Sequence, residues 1–420
     1  MKALVVGNGA REQAIAERLA ESSDVYAFMS RKNPGIAGVC KGFMLGSLTD
    51  FDKIGLYAEG MDFVFVGPEE PLVGGIADVM DNVVGPGKRA ALLEGDKAFC
   101  RDFLRDNVGF GYPEYRVCRT VEDVEEAVRE IEDFAVKPSG LTGGKGVKVL
   151  GKQLKDVDEA EDYAKKLLCE GDVVVEERLE GEEFTLMAFC DGTHLIPMPL
   201  VQDHKYAYEG DEGPMTGGMG SYSCEDHTLP FLEERDVDEA MKIMKKTTEA
   251  IDYRGVLYGG FMATADGVKL LEYNVRFGDP EAMNVLSLLK EDLSDVSTRI
   301  LDGNLSNAAF EREATVCKYL VPGGYPDNPE RGVELRIAEP KRAKLYYASV
   351  EETDGRVYTT GSRALAVLGI GNTVDEAERI AEEGASGVRT DGLWYRSDIG
   401  KRDLIEKRVR HIAALRRQNP

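Results

Sequence analysis

The 420-residue sequence predicts a multidomain protein that combines α/β and α+β folds. Strand and helix patterns alternate over residues 1–95, which predicts βαβ units and a parallel α/β domain. Residues 96–310 mix strands, glycine-rich loops and longer amphipathic helices, which predicts a central domain of mixed topology. Short strands and one clear helix occupy residues 311–420, and they predict a small C-terminal α+β domain.

The N-terminal region alternates the strand patterns KALVVG, VYAFMS and FVFVGP with helical patterns. The first strand leads into GNGAREQA, where Gly7, Gly9 and the start of the next helix form a candidate anion site. A dinucleotide site is disfavoured, because Glu12 replaces the third small residue and residues 29–31 provide no acidic group after the second strand. A simple phosphate site and an unliganded tight turn both remain open.

The segment GPEEPL, residues 67–72, follows another predicted parallel strand. Ligands gather at the carboxyl ends of the strands in open α/β sheets. Glu69 and Glu70 are therefore candidates to bind hydroxyl groups or an amine. The alternative is a solvated turn before a helix.

The segment KPSGLTGGKGVKVL, residues 137–150, is a glycine-rich loop between two strand patterns. It is not a P-loop, because only three residues separate Gly140 from Gly144, and Gly146 stands where a magnesium-binding hydroxyl is needed. The flanking patterns DFAVKP and VKVL predict a hairpin whose bare backbone amides can fold over phosphates. An ordinary glycine-rich hairpin is the alternative.

Two further segments are candidate contacts for a nucleotide and a substrate. VVVEERLEGEEFTLM predicts a strand, a turn and a strand, so that backbone near 176–179 can pair with an adenine edge and Glu183 can accept from ribose hydroxyls. GPMTGGMGSYS, residues 213–223, is too rich in glycine for regular structure and predicts a flexible loop near a ligand. QDHK, just before it, supplies the cation Lys205. A plain acidic hairpin and a disordered surface turn are the alternatives.

LLEYNVRFGDPEAMN carries the sharpest chemical signal. A strand is predicted over residues 270–277, and alternate residues of a strand share one face. Glu272, Asn274 and Arg276 would therefore lie on one side. A carboxylate and an amide oxygen are hard ligands that suit Mg²⁺ together with substrate phosphates, and the guanidinium can grip a carboxylate or a phosphate. An edge strand with a polar face is the alternative.

Composition limits the partners and the compartment. The net charge is −24 and the pI is about 4.7, which argues against nucleic acid and anionic membranes as partners. MKALVVGNGA reads as a first strand and turn, not as a signal peptide. Seven scattered cysteines without a C-x-x-C pair indicate reduced thiols. We therefore expect a cytoplasmic, soluble protein.

GNGAREQA, GPEEPL, GLTGGKGV, QDHK, GPMTGGMGSYS and EYNVRFGDPE occur in this order, and together they resemble the phosphoribosylamine–glycine ligases, a family of the ATP-grasp superfamily. The resemblance covers essentially the whole chain. It implies a pre-ATP-grasp domain over 1–95, an ATP-grasp domain over 96–310 with a lid subdomain at about 111–185, and a C-terminal domain over 311–420. Departures from the family pattern are Gln13 for a histidine, Met215 for an asparagine, and Thr142-Gly143 for a pair such as Ala-Ala.

The resemblance also implies a role for individual residues. Metal ligands for Mg²⁺ or Mn²⁺ would be Glu272 and Asn274. Substrate would be oriented by Arg276, Asp279 and Glu281. ATP would be bound by Lys97, Lys137, Gly140, Gly143, Gly144, Lys145, Gly146, Glu176, Glu177, Leu179 and Glu183. The other substrates would be bound by Gly7, Gly9, Arg11, Glu69, Asp203, Lys205, Thr216, Gly217 and Gly218.

The implied reaction joins glycine to 5-phosphoribosylamine through glycyl phosphate and releases ADP and phosphate. Two other hypotheses stay open: a different ATP-grasp ligase, such as a biotin-carboxylase-like or formyl-transferring relative, and a non-catalytic nucleotide sensor on the same scaffold. We expect small-molecule partners only, and a monomer or a weak homodimer.

Overall fold

The structure is a computed structural model that describes residues 1–141, 146–338, 340–388 and 392–418. Within these ranges, no helix combines the length and the apolar character that crossing a membrane requires.

The N-terminal region is built on a parallel sheet, as predicted, and this sheet has five strands in the order β3-β2-β1-β4-β5. Its apolar strands are buried between helices, which is typical of parallel sheets. Gly75, with a φ of 95°, separates two short helices that follow the fourth strand. The strands are β1 Lys2–Val6, β2 Asp24–Met29, β3 Gly42–Leu45, β4 Phe63–Val66 and β5 Val83–Val84. The helices are α1 Ala10–Ala20, α2 Pro34–Val39, α3 Phe51–Tyr57, α4 Glu69–Gly74, α5 Ile76–Val79 and α6 Lys88–Gly95.

A second, antiparallel sheet follows, and we call it the lid sheet; its order is β6-β9-β7-β8. Two helices, α8 and α9, cover it and share its separate apolar core. The predicted glycine-loop hairpin is confirmed at its base, where Ala135 pairs with Val149. The elements are α7 Lys97–Phe103, a π-helical turn Leu104–Val108, β6 Tyr115–Cys118, α8 Val121–Glu130, β7 Phe134–Pro138, β8 Lys148–Val149, α9 Val157–Leu167 and β9 Val173–Glu177.

The central region contains a four-stranded antiparallel sheet in the order β11-β10-β16-β17. Strands β9 and β10 were candidates for an acidic hairpin, but they belong to different sheets, so residues 178–181 connect the lid sheet to the central one. The strands are β10 Glu182–Asp191, β11 Leu195–Pro197, β12 Gln202–Asp203, β13 Tyr206–Tyr208, β14 Glu212–Met215, β15 Gly220–Ser223, β16 Arg254–Thr264 and β17 Gly267–Asn274. The helices are α10 Glu234–Ala250, α11 Glu281–Leu288 and α12 Leu293–Asp302.

The last sheet joins central and C-terminal strands in the order β12-β15-β18-β23-β20, with β24 beside β18. A boundary near residue 311 therefore runs through one sheet. The strands are β18 Ala314–Pro322, β19 Arg331–Leu335, β20 Lys344–Tyr347, β21 Val350–Thr353, β22 Arg356–Thr360, β23 Leu365–Gly371 and β24 Leu393–Trp394. The helices are α13 Val374–Gly387 and α14 Arg402–Gln418.

The prediction that residues 213–223 lack regular structure is wrong. Their first residues complete the β13–β14 ribbon, and Gly220–Ser223 form β15, which is buried. The hydrogen bonds of β15 to its neighbours β12 and β18 impose an extended backbone on a glycine-rich sequence. Only the turn between β14 and β15 remains a loop.

Candidate active site

Cations at the base of the lid sheet, Lys137 and Lys97, act on the Glu272 carboxylate of the central sheet, and we call the region between them the cleft. A small, partly open cavity on the central side is lined by Glu183 and Thr185 from β10, Asp203 from β12, Tyr258 from β16, and Lys205. The Lys205 ammonium lies 3.2 Å from the Glu183 carboxylate and 3.8 Å from that of Glu272. Burial alone would lower the pKa of Lys205, but these two carboxylates raise it well above its usual value.

The predicted metal ligands lie on β17, where Glu272 pairs with Gly260 and Asn274 pairs with Tyr258. Burial by itself raises the pKa of Glu272. The cations Lys205, Lys137 and Lys97 lower this pKa by a larger amount, so the net pKa lies below its usual value and the group is held as a carboxylate. The buried Asn274 amide makes no hydrogen bond to any residue that the structure describes, which leaves its oxygen available.

These ligands fit a hard divalent cation that completes its coordination with substrate. Within the described ranges, His, Cys, Asp and Glu do not form a metal-binding group of three. Mg²⁺ typically takes one or two carboxylates, several waters and substrate phosphates. The β17 pair is therefore suited to a metal that arrives with a nucleotide.

Arg276 departs from the predicted arrangement. The strand ends at Asn274, so the prediction that Arg276 continues the same strand face is wrong. Its guanidinium lies 2.9 Å from the Glu94 carboxylate and 3.3 Å from that of Glu69. Burial and the neighbouring charge of Glu69 raise the pKa of Glu94 to about 7, although Arg276 acts to lower it. We call Arg276, Glu69 and Glu94 the strand-end cluster.

Lys137 is placed at the cleft side of the lid sheet, but it pairs with a protein carboxylate. Its ammonium contacts one oxygen of Glu176, and Arg101 Nε contacts the other at 2.9 Å. Burial by itself raises the pKa of Glu176, but the two cations lower it to about 2. We call Arg101, Lys137 and Glu176 the lid cluster. The Glu176 side chain is therefore engaged, and its contribution to a ligand is limited to the backbone.

The connection after β9 retains free backbone donors among the described residues. The amides of Glu177 and Arg178 donate to carbonyls of Glu114 and Asp133 at 2.8 Å each. The amide of Leu179 donates to no residue in the described ranges. A donor on this connection would suit the edge of a flat heterocycle, and adenine binding there stays a prediction.

The glycine-rich loop over residues 140–146, which we call the flap, accepts hydrogen bonds at its first and last residues. Lys97 Nζ donates to the Gly140 carbonyl at 3.1 Å, and Tyr163 donates from its hydroxyl to the Gly146 carbonyl at 2.7 Å. Gly146 has a φ of 96°, which glycine adopts without strain. The predicted contacts Gly143, Gly144 and Lys145 lie outside the described residues.

Asp203, which lines the cavity, forms a carboxylate pair with the buried Glu281. Burial, together with the neighbouring charge of Glu281, raises the pKa of Asp203 well above its usual value. Asp203 Oδ1 has no hydrogen-bond partner among the described residues. Glu281 Oε1 accepts from the Thr185 hydroxyl at 3.2 Å. Because an unpaired charge is costly to remove from water, these two carboxylates favour a bound cation, such as an ammonium group.

The turn at 216–219 is held by Arg363, from the connection between β22 and β23. Arg363 Nη1 donates to the carbonyls of Gly217, Gly218 and Asp279 at 2.6, 2.8 and 2.9 Å. Its Nη2 lies 3.2 Å from the Asp279 carboxylate, which also accepts from the Tyr319 hydroxyl. Asp279 is thus held in place by protein groups. Thr216 donates to the Lys205 carbonyl from both its amide and its hydroxyl, at 2.7 and 2.9 Å.

The N-terminal glycine turn already contains a carboxylate. Glu12 Oε2 accepts from the Gly9 amide at 2.5 Å, and Glu12 Oε1 lies 2.6 Å from Arg11 Nε. A Cβ at Gly7 would lie 2.6 Å from the Glu12 side chain, so only glycine fits there. The turn brings Gly7, Gly9 and Arg11 together, but its polarity suits hydroxyl or amine groups better than a bare phosphate.

Sequence reasoning missed Arg101, Glu94 and Arg363. Arg101 and Glu94 are charged residues inside otherwise buried helical faces of α7 and α6, and that signal was available. Arg363 sits in a short connection before β23 and carries no local signal.

Comparisons with known proteins give a consistent result. Family models described as the N domain, the ATP-grasp (A) domain and the C domain of phosphoribosylglycinamide synthetase match residues 1–94, 95–282 and 315–402. A phosphoribosylamine–glycine ligase of Methanosarcina barkeri is 48% identical, covering 99% of this chain and 100% of that protein. The crystal structure of a phosphoribosylamine–glycine ligase from Thermotoga maritima is 29% identical with a TM-score of 0.84, covering 95% of this chain and 100% of that one. The biotin carboxylase domain of a Hydrogenobacter thermophilus 2-oxoglutarate carboxylase, 14% identical with a TM-score of 0.77 over 98% and 97% of the two chains, shares the fold.

Proposed function

The chain belongs to the phosphoribosylglycinamide synthetase family, and we propose that it joins glycine to 5-phosphoribosylamine with the conversion of ATP to ADP and phosphate. The observation that carries this proposal is the Glu272–Asn274 pair on β17. It faces the cleft beside Lys205, and the cations of the flap base, Lys97 and Lys137, act on Glu272.

The first chemical problem is charge. The glycine carboxylate must attack the γ-phosphoryl group, and two unit charges 4 Å apart repel by about 4 kcal/mol at an effective dielectric constant near 20. Lys97, Lys137 and Lys205 supply positive charge along the cleft floor. Mg²⁺ or Mn²⁺, held by Glu272 and Asn274, would neutralise phosphate charge and act as a Lewis acid.

The second problem is selection of the amino acid. We assign the glycine ammonium to the buried Asp203 and Glu281 carboxylates, since an ammonium group would offset their mutual repulsion. The turn at Gly217 and Gly218 approaches the same cavity with little side-chain bulk. The absence of bulk favours close contact with a small amino acid.

The third problem is the acceptor amine. It attacks the carbonyl carbon of glycyl phosphate, the acyl–oxygen bond breaks, phosphate leaves, and the amine nitrogen loses a proton. We assign the ribosyl hydroxyls and amine of the acceptor to the Gly7–Arg11 turn and Glu69, next to Arg276. A flap over the cleft would keep water from hydrolysing the acyl phosphate. The nitrogen nucleophile comes from the substrate, so the chain needs only to position groups.

A substrate-dependence assay tests the proposal. ADP release is measured with glycine plus phosphoribosylamine, and with bicarbonate or formate in place of glycine, while mass spectrometry follows the amide product. We expect ADP and glycinamide ribonucleotide in equal amounts only in the first mixture. ADP release with bicarbonate or formate would favour a different ligase, and ATP binding without turnover in any mixture would favour a nucleotide sensor.

Compartment and assembly belong to the same proposal. All seven cysteines are free thiols, which suits a reducing cytoplasm. We propose a monomer or a weak homodimer, and sedimentation at several concentrations tests this.

A further inference from the structure

The C-terminal helix α14 returns to the central sheet and presents basic side chains to it. Arg408 Nη1 lies 2.7 Å from the Glu182 carboxylate, and Arg408 Nη2 lies 2.8 Å from that of Asp211. Arg408 Nη2 is also 3.2 Å from Nδ1 of His204, which is buried. A second helix residue, His411, lies 2.7 Å from the other oxygen of Glu182.

The partners of Arg408 are sequence neighbours of cleft residues. Glu182 precedes Glu183 on β10, and adjacent residues of a strand point to opposite faces. Glu182 therefore faces α14, and Glu183 faces the cleft. His204 lies between Asp203 and Lys205, which line the cavity.

Residues 182–183 and residues 202–205 are joined both in the cleft and behind it. In the cleft, Lys205 and Glu183 are 3.2 Å apart. Behind the cleft, one planar guanidinium bonds to Glu182 and contacts His204, and its fork geometry allows little change in their spacing. Gln202 adds a bond from Nε2 to the Glu183 carbonyl at 3.1 Å.

We propose that Arg408 is a positioning residue for nucleotide binding, which acts through Glu182 and His204 on Glu183 and Lys205. The C-terminal helix thereby sets the spacing of the two cleft groups without touching the ligand. This inference rests on the proposed function, in which Lys205 supplies positive charge to the cleft, and on the predicted contact of Glu183 with ATP.

Arg416 on the same helix provides a matched control. It lies 2.6 Å from the buried Asp236 carboxylate and 3.1 Å from that of Glu233, and its side chain is 11% exposed against 13% for Arg408. Its partners precede or begin α10 and have no neighbour in the cavity. Arg408→Met and Arg416→Met therefore remove comparable ion pairs. Of the two arginines, only Arg408 has partners that are sequence neighbours of residues that line the cavity.

The test uses the full chain and measures ATP affinity by calorimetry, KM for ATP and kcat at saturating co-substrates, and the urea midpoint of unfolding. Both Met variants are expected to lower the midpoint. Arg408→Met is expected to weaken ATP binding and raise KM for ATP at least tenfold, while Arg416→Met stays within twofold of the wild type. Equal ATP affinity in the two variants, whether lowered or not, would overturn the proposal.

Glu182→Gln keeps the shape of the side chain and is the second variant, in case Arg408→Met does not fold. It is expected to weaken ATP binding at least threefold, and wild-type affinity would overturn the proposal equally. ATP binding needs no acceptor. A wild-type protein that binds ATP but forms no amide product would refute the proposed reaction, and the ATP affinities of the variants could still be compared.

Discussion

The two buried ion clusters beside the cleft have opposite charge balance. In the lid cluster, two cations surround Glu176, and the pKa of Glu176 is lowered to about 2. In the strand-end cluster, Glu69 and Glu94 share Arg276, and burial raises the pKa of Glu94 to about 7. Glu176 and Glu94 are both buried, but Glu176 contacts two cations, whereas Glu94 contacts one and also faces the negative charge of Glu69. An excess of cations suits phosphates, whereas an excess of carboxylates suits an amine or hydroxyl groups.

Glu272 lies between the clusters, and its substitution tests both together. The carboxylate is influenced by Lys137 on one side and by Arg276 on the other. We expect Glu272→Ala to reduce ADP formation at least a thousandfold, about 4 kcal/mol of transition-state stabilisation, without unfolding the chain. The measurement is a coupled ADP assay with circular dichroism. Glu249→Ala, at an exposed position on α10, is the control, and near-normal turnover of Glu272→Ala would contradict the metal site.

The two clusters should change the folding stability in opposite directions as the pH is varied. In the folded chain, Arg101 and Lys137 outweigh burial and lower the pKa of Glu176 to about 2, below its ordinary value of 4.5. It therefore contributes stability that is present above about pH 4.5 and is lost as the pH falls towards 2, up to about 3 kcal/mol. Urea unfolding from pH 6 to pH 3 should show a shallower loss for Glu176→Gln than for the wild type.

Glu94 provides the opposite control in the same experiment. Its raised pKa means that the folded chain keeps a proton that the unfolded chain loses, so stability falls as the pH rises from about 4.5 to 7. Glu94→Gln should remove this fall. Parallel pH profiles for the two Gln variants would contradict the assigned charge balance.

Arg276→Ala removes the shared cation of the strand-end cluster. The Glu69 and Glu94 carboxylates then lose the guanidinium that they share, and substrate loses the same cation. We expect kcat/KM for glycine to fall at least a hundredfold, about 2.7 kcal/mol. Steady-state kinetics measure this fall. Adding Glu94→Gln should recover stability but not rate, and an unchanged glycine response would remove the proposed role of Arg276.

Lys137→Met gives the smallest expected effect, because Arg101 still compensates Glu176 in the lid cluster. We expect ATP to bind about tenfold more weakly, about 1.4 kcal/mol. Calorimetry with ATP measures the change. Lys152→Met, on an exposed lid turn, is the control, and equal affinity in the two variants would remove Lys137 from the nucleotide contacts.

Local patterns predicted the parts of the site that depend on neighbouring residues. The two-residue spacing of Glu272 and Asn274 predicted their shared strand, and the glycine loop between β-branched runs predicted the flap hairpin. The strand was predicted too long, since the chain bends at 275–276 to bring Arg276 to Glu69 and Glu94.

Long-range partners could not be predicted in the same way. Arg101 meets Glu176 across 75 residues, and Arg408 meets Glu182 across 226. Arg363 holds Gly217 across 146 residues. Glycine content also misled, because β15 owes its regular backbone to β18 and not to its own residues.

The pairing of β15 with β18 makes the last quarter of the chain a poor unit for modular exchange. A crossover between related genes at residue 311 would splice a foreign strand against β15 and pair a new β18 face with the turn that Arg363 secures. Chimeric chains should therefore work best when the crossover falls in a short connection that no sheet bridges, such as 178–181. The parts of the chain before and after residue 311 are expected to be inherited together.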